Sequence, residues 1–367
     1  MNKINAEIII IFLLFFHIFN SGCLDIFNFD DTIIYESHPV EIQYNLSYGY
    51  IVECLGIGNY EITYNCDIPI NTRCSTAIFK PIYDKDYQEI NQFNNSFYRW
   101  IIKSSGDNNY KLGISMEVHS FSNLIEDISG KNALDIDEIK IYYPSIYEKY
   151  TGIQKVNGSV YIDPYDSSVQ LIAQNVFSDT NSNNSLLLAK DLFLWLKKNT
   201  EYKIHPIGDG EVQTCSETIK LKTGDCDDLS FLYIALCRAL DIPARFIRGY
   251  LIEENNGVIS SVAHAWVEIF VGVGIGDSGW MPVECACASN DMDVQLYQNF
   301  GVESVGHLRL FVDDGSDESL NQSLSGPRVN YSIGISVDMV DFVEVEDYKI
   351  IQSKELKINS EGIRKYI

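Results

Sequence analysis

Cys226, in the stretch TGDCDDLSFLYIALCRAL (223–240), stands directly before two aspartates and at the start of an apolar-periodic run. Leu229, Leu232, Tyr233, Leu236 and Leu240 recur at steps of three and four, so the run reads as a helix with one apolar face. Cys226 lies near that inward face, in line with Leu229, Tyr233 and Cys237. Asp225 or Thr223 can cap the helix, which puts the thiol in its first turn. There, unpaired backbone N–H groups and the positive end of the helix dipole favour a thiolate and can also serve an oxyanion. Asp227 and Asp228 act the other way, because nearby negative charge raises a thiol's pKa. Taken alone, such a cysteine reads either as a nucleophile or as a buried core thiol.

A base further along the chain changes that balance. In HAWVEIF (264–270), period-two alternation puts His264, Trp266 and Glu268 on one face of a strand and Ala265, Val267 and Ile269 on the other. WMPVEC (280–285) is a second strand and carries Glu284. If the two pair as an antiparallel hairpin around GVGIGDSG, a carboxylate lies beside the imidazole. Cysteine, histidine and carboxylate are then a nucleophile, its base and the group that orients the base. The loop itself contains GxGxxG at 274–279, but Trp-Met-Pro follows where a dinucleotide site needs a helix, so it reads as a turn.

These residues need a scaffold, and the chain reads as α+β. LLLAKDLFLWLKK (186–198) has helical spacing, and Pro243 stops the Cys226 helix before DIPARFIRGYLI (241–252) turns into a strand. Residues 151–305 make up the core, a helix packed on an antiparallel sheet, and strand-like pieces at 306–367 read as a C-terminal β extension of it. The acidic run DDGSDES (313–319) lacks EF-hand spacing and reads as a solvated loop. Residues 24–150 are β-rich, with YEITYNCDI (60–68) and NYKLGISMEV (109–118) as strands of a β-sandwich-like module. His119 there has no nucleophile near it in the sequence and reads as structural or exposed.

The first 23 residues read as a targeting signal: Lys3, then the apolar block IIIIFLLFF (8–16), then Ser21-Gly22-Cys23. The block is too short for the roughly 20 residues of a spanning helix. Cys23 sits where a lipoprotein signal places its lipid-modified cysteine, although Asn20 departs from that pattern; secretion or an uncleaved anchor are the alternatives. Export would let Cys54, Cys66, Cys74, Cys215, Cys285 and Cys287 form bridges, with Cys66 and Cys74 as the natural local pair. No CxxC or nearby Cys/His partner turns Cys285 and Cys287 into a zinc site, so no metal or other cofactor is expected. A formal charge of −24 disfavours nucleic acid as a partner.

GDCDDLSFLYIALCRALDIPARFIRGY, then AHAWVEIF, then WMPVE together resemble the core of the transglutaminase-like superfamily, over roughly residues 185–285. The resemblance implies a papain-type site with Cys226 as nucleophile, His264 as general base and acid, and Glu284 as the carboxylate. The family usually has aspartate at that last position, often followed by proline; here it is Glu284-Cys285. Gln213, in VQTCSET, matches a Gln-Thr stretch of related sequences and is a candidate oxyanion donor. The β-rich first half resembles the accessory domain that precedes this core in prokaryotic members. The implied activity is attack on a peptide or glutamine side-chain amide through a Cys thioester, ending in hydrolysis or acyl transfer. The implied partners are cell-wall peptides or surface proteins at the outer face of the membrane. The competing reading is an inactive member of the family that serves as a surface binding or scaffold protein.

Overall fold

The computed structural model describes residues 33–84, 87–90, 95–204, 212–286, 289–323, 326–359 and 362–367. The leader, Cys23 and Cys287 lie outside these residues. The first half is built from β1 (Ile33–Gly56), β2 (Asn59–Asp67), β3 (Ser75–Pro81), β4 (Tyr87–Ile90), β5 (Ser96–Ser105) and β6 (Asn108–Phe121). Alternation along β1 and β6 turns Ile42, Tyr44, Leu46, Leu112, Ile114 and Met116 into one buried layer. Tyr64 and Trp100 from the facing sheet complete the core, their rings stacked with centroids 5.6 Å apart. His119 is on this module's β6, and its Nε2 lies 2.8 Å from Glu41 of β1.

β7 (Asn123–Leu124) leads to two short helices, Ile136–Tyr142 and Pro144–Tyr150. These helices do not belong to the sandwich that was expected to run to residue 150. Ile139 and Tyr150 pack instead on Phe270 and Trp280 of the second half. A hairpin of β8 (Gln154–Val156) and β9 (Ser159–Ile162) follows, then helices Ser167–Thr180 and Ser185–Asn199. β10 (Glu201–Tyr202) and β11 (Thr223–Gly224) pair in parallel and bring Tyr202 level with Gly224 at the mouth of helix Cys226–Ala239.

That helix is buried from Asp228 through Arg238 and not on one face alone. The sheet covers one side, and helices Ser167–Thr180 and Ser185–Asn199 cover the rest. Arg238 tolerates this because its guanidinium donates to the carbonyls of Ala244 and Gly152.

The sheet behind the helix contains β12 (Ala244–Asn255), β13 (Val258–Phe270), β14 (Trp280–Val283) and, after β15 (Val302–Glu303), β16 (His307–Val312). Its order is β14-β13-β12-β16, antiparallel throughout. The GxGxxG segment is the β13–β14 hairpin loop, and a Cβ at Gly276 would meet the Trp280 carbonyl oxygen at 1.9 Å. The fold class is therefore the expected one, an α+β core with an antiparallel sheet, joined to a β-sandwich.

The C-terminal segment differs from expectation. Only β16 extends the core sheet. β17 (Arg328–Tyr331) pairs with β2, and β18 (Ile335–Ile358) runs along β1 for almost its whole length, with β19 (Arg364–Tyr366) outside it. The sandwich sheets are thus β19-β18-β1-β6-β3 and β17-β2-β5-β4. β1 would otherwise present a long open edge, and the returning chain covers it. Arg364 is fully buried and ties this return to the second half by donating to the carbonyls of Ile125, Tyr297 and Gly301.

The acidic turn is not a solvated loop either. Asp313 is fully buried and accepts from Gln154, while Asp317 accepts from the Lys155 N–H, so the run fastens β16 to the β8–β9 hairpin. The expected Cys66–Cys74 bridge is absent, and Cys54, Cys66, Cys74, Cys215, Cys226, Cys237 and Cys285 are all free thiols. Cys66 faces inward on β2, whereas Cys74 precedes β3 of the other sheet, so neighbours in sequence are parted by the sandwich.

Candidate active site

Helix Cys226–Ala239 begins with a capping box. The Asp225 carboxylate accepts the Asp227 N–H, and Asp228 accepts the Asp225 N–H. Asp228 is fully buried and also accepts the Gln213 N–H at 2.7 Å, which pins that segment to the helix start. Gly224 is required at this join, since a Cβ there would sit 2.6 Å from the Asp228 Cβ. Two of the three carboxylates around Cys226 therefore build the helix mouth. Gln213 is buried beside it, its Oε1 accepting from Thr218 at 3.5 Å.

Asp227 is the third carboxylate, and it faces the thiol. Its Oδ1 lies 3.8 Å from the Cys226 sulfur. Burial, then the neighbouring Asp225 and Asp228, hold its own carboxyl up to about 6. For Cys226, burial comes first, followed by Asp227 and Asp225, and together they push the thiol well above its usual range. A backbone hydrogen bond from Ala265, the residue after His264, opposes them without prevailing. Burial and the neighbouring carboxylates thus favour the protonated form of Cys226 in the resting site.

The β13–β14 hairpin brings His264 and Glu284 together. His264 Nε2 lies 2.7 Å from Glu284 Oε2, and both side chains are buried. The other carboxylate oxygen accepts the Ala286 N–H. Burial favours a neutral His264, but the Glu284 carboxylate outweighs it and raises the imidazole above its ordinary value. Burial likewise penalises Glu284, and the two histidines beside it more than offset that, holding it well below the usual carboxylate range. Because Nε2 faces Glu284, Nδ1 is the ring nitrogen left to serve a thiol.

The second histidine is His307 on β16, which the sequence reading passed over. Its Nε2 lies 3.0 Å from the same Glu284 Oε2, and its Nδ1 lies 2.8 Å from Ser304 Oγ. One cue was available: in VGHLRLFV, His307 and Arg309 alternate onto the face that His264, Trp266 and Glu268 occupy. Trp266 packs beside both imidazoles, with ring centroids 6.0 Å from His264 and 4.7 Å from His307. One ligand atom from each of His264, Glu284 and His307 falls within 4.8 Å of the others, so this group could hold a divalent cation. Glu268, two residues beyond Trp266, is instead gripped by Arg245 and Arg309 and held down to about 2.

A cleft of about 730 Å³ opens onto this group, lined by Tyr202, Glu253, His264, Glu284, Tyr297 and His307 among others. Glu36 and His38 of β1 and Tyr366 of β19 form its far wall, so it runs between the sandwich and the core. Cys226 is half-buried and does not line this cleft directly.

Residues 172–285 match the core of the transglutaminase-like superfamily. An uncharacterized protein of Haemophilus influenzae is 22% identical over 256 residues, which is 61% of this chain and 67% of that one. The structure of a candidate cysteine protease from Cytophaga hutchinsonii superposes with a TM-score of 0.53 at 14% identity, covering 92% of this chain and all of that one. The periplasmic domain of TgpA from Pseudomonas aeruginosa is 14% identical and covers 71% of this chain and 94% of its own, with a TM-score of only 0.34. Among the described residues, no helix is long and apolar enough to cross a membrane.

Proposed function

We propose that this chain, whose residues 172–285 carry a transglutaminase-like core, is a cysteine-dependent enzyme acting on amide bonds. The observation that carries the reading is the buried His264–Glu284 pair at 2.7 Å, with the Cys226 thiol seated against the backbone of the residue after that histidine. The resting thiol is neutral, so its proton leaves as the sulfur attacks. Sγ bonds to the amide carbonyl carbon while His264 Nδ1 takes the proton. The carbonyl oxygen gathers negative charge, and the Cys226 N–H at the helix mouth and the Gln213 side-chain amide stabilise it. His264 then returns the proton to the leaving amine as the C–N bond breaks, and a thioester remains on Cys226. Water or a second amine, deprotonated by the same imidazole, releases an acid or a new amide. Glu284 holds the ring in one tautomer and stabilises its charged form.

The substrate is a peptide bond or a glutamine side-chain amide. The leader at 1–23 supports export, with Cys23 as a lipid anchor and cell-wall or surface proteins as substrates. The neutral thiol beside Asp227 favours a second reading, a non-turning-over surface protein. Both are separated by acylation with p-nitrophenyl acetate, followed by ammonia release and primary-amine incorporation with glutamine peptides. The enzyme reading expects a mass shift at Cys226 that Cys226→Ala abolishes and His264→Ala slows about a thousandfold. Acyl transfer that survives Cys226→Ala, or no acylation of the parent, would overturn it.

A further inference from the structure

His307 is too well placed to be incidental. β12 runs between the strands that carry His264 and His307, yet the two ring centroids are only 5.4 Å apart. Gly249 makes this possible. It pairs with His264 on one side and, after a register shift in β16, with Arg309 on the other. It puts no side chain between the two histidines. A Cβ at Gly249 would lie 1.8 Å from the Leu308 carbonyl oxygen, so β16 can pass this close only over a glycine. The bulge then aims His307 at the carboxylate that His264 already uses.

The geometry points to His307 as a positioning residue of the catalytic centre, donating its Nε2–H to Glu284 and so holding the carboxylate at the distance His264 needs. Facing a carboxylate that can only accept, Nε2 carries a proton, and Ser304 holds the other side of the ring, with Nδ1 2.8 Å from its Oγ and 3.3 Å from its carbonyl oxygen. With the Ala286 N–H on Oε1, the carboxylate accepts three hydrogen bonds and its rotamer is set from three directions. This accounts for glutamate where the family commonly has aspartate: the longer side chain spans from the end of β14 to a donor on β13 and another on β16. The inference rests on the thiol-enzyme reading.

The test uses the rate of Cys226 acylation by p-nitrophenyl acetate in the full chain, measured from pH 5 to 9. Phenylalanine at 307 keeps the volume without the donor, and glutamine keeps a donor. His307→Phe should slow acylation about tenfold, as loss of a hydrogen bond to a charged group does, and His307→Gln should recover most of it. Losing one donor concentrates the carboxylate's charge on His264, so the acid limb should move to higher pH in the phenylalanine variant and return in the glutamine variant. The other titratable groups facing this pair are Asp227 and Cys226 at the helix start, Glu253 on β12, Tyr202 on β10, Tyr297, and Glu36, His38 and Tyr366 across the cleft, and neither substitution changes them. In a Glu284→Gln background, His307→Phe should have no further effect, because its role passes through that carboxylate.

A parent that acylates at Cys226 but an unmoved acid limb and additive rate losses would overturn the positioning role alone. A parent that fails to acylate would remove the functional reading and this inference with it. Acylation that rises with added zinc and vanishes with a chelator would make the same three side chains a metal centre, and the proposal would be wrong. Thermal unfolding of each variant separates lost chemistry from lost fold.

Discussion

Two glutamates near the same face of the core sheet are each held between a pair of nitrogen donors. Glu268 lies between Arg245 and Arg309, and Glu284 between His264 and His307. Both are buried, and both are held below the ordinary carboxylate range. The partners differ in what they can release. A guanidinium never gives up its proton in a protein, so the Glu268 clamp is permanent charge and can only hold the sheet together. An imidazole changes charge near neutral pH, so the Glu284 clamp can accept and return a proton. Arg309 touches both systems, pairing with Glu303 and Glu268 while its guanidinium lies 6.0 Å over the Trp266 ring. Under the proposed function, one site serves structure and the other chemistry, on the same sheet.

The contrast is broken most sharply by removing the nucleophile. Cys226→Ala is expected to lower acyl transfer by about 10⁴-fold or more while leaving the melting temperature within a degree or two of the parent. Glu268→Gln should do the reverse. Stripping one partner from a buried ionic cluster costs roughly 3–5 kcal/mol, which urea unfolding would register. Activity per folded molecule should then stay within a few fold of the parent. If Glu268→Gln instead silenced the enzyme without unfolding it, the division between the two clamps would be false.

The half proposed to be catalytic was legible in the sequence apart from His307, and the arginine clamp was not. His264 and the capped Cys226 helix announce themselves through local periodicity, and Glu284 follows from a β13–β14 hairpin that needs only a short loop. Glu268 was visible on the right face, but Arg309 arrives from a strand tens of residues later, across a register shift. His307 was missed for the same reason. A bulge in β16 at Leu310, opposite Arg248 and Gly249, sets how β16 registers on β12, and period-two counting carries no information about bulges. The β1–β18 pairing joins Asn45 to Glu346, a contact between chain ends that local pattern cannot encode. Asp227 and Asp228 look alike in sequence, yet one faces the thiol and the other secures the Gln213 segment, a difference only the packed helix mouth reveals.

Acid unfolding sharpens the comparison at a smaller scale. Glu268 falls from an ordinary 4.5 to about 2, a depressed carboxylate, so its stabilisation is present above pH 4.5 and is lost as pH falls toward 2. At 1.36 kcal/mol per unit, the difference amounts to about 3 kcal/mol. Chemical unfolding between pH 6 and 2 should show that loss in the parent and a flatter curve in Glu268→Gln. Equal slopes would mean that the two arginines do not hold this carboxylate ionised.

The smallest effect, and the one closest to function, is the position of the acid limb of acyl transfer. His264 is raised above 6.5 because Glu284 outweighs burial, and a general base must be neutral to take the thiol proton. Activity should therefore rise with pH through a midpoint above the ordinary imidazole value. The Cys226 thiol is pushed far upward by burial and its aspartates, so no separate thiolate ionisation should appear between pH 5 and 9. Asp227→Asn removes the carboxylate 3.8 Å from the sulfur and one of the groups that raise His264. It should shift the acid limb downward by less than one unit, about a fewfold change in rate near the midpoint. The Glu268→Gln profile should overlay the parent's, because the arginine clamp exchanges no proton in this range. A limb that moved with Glu268 and stayed still with Asp227 would reverse the assignment of the two carboxylate systems.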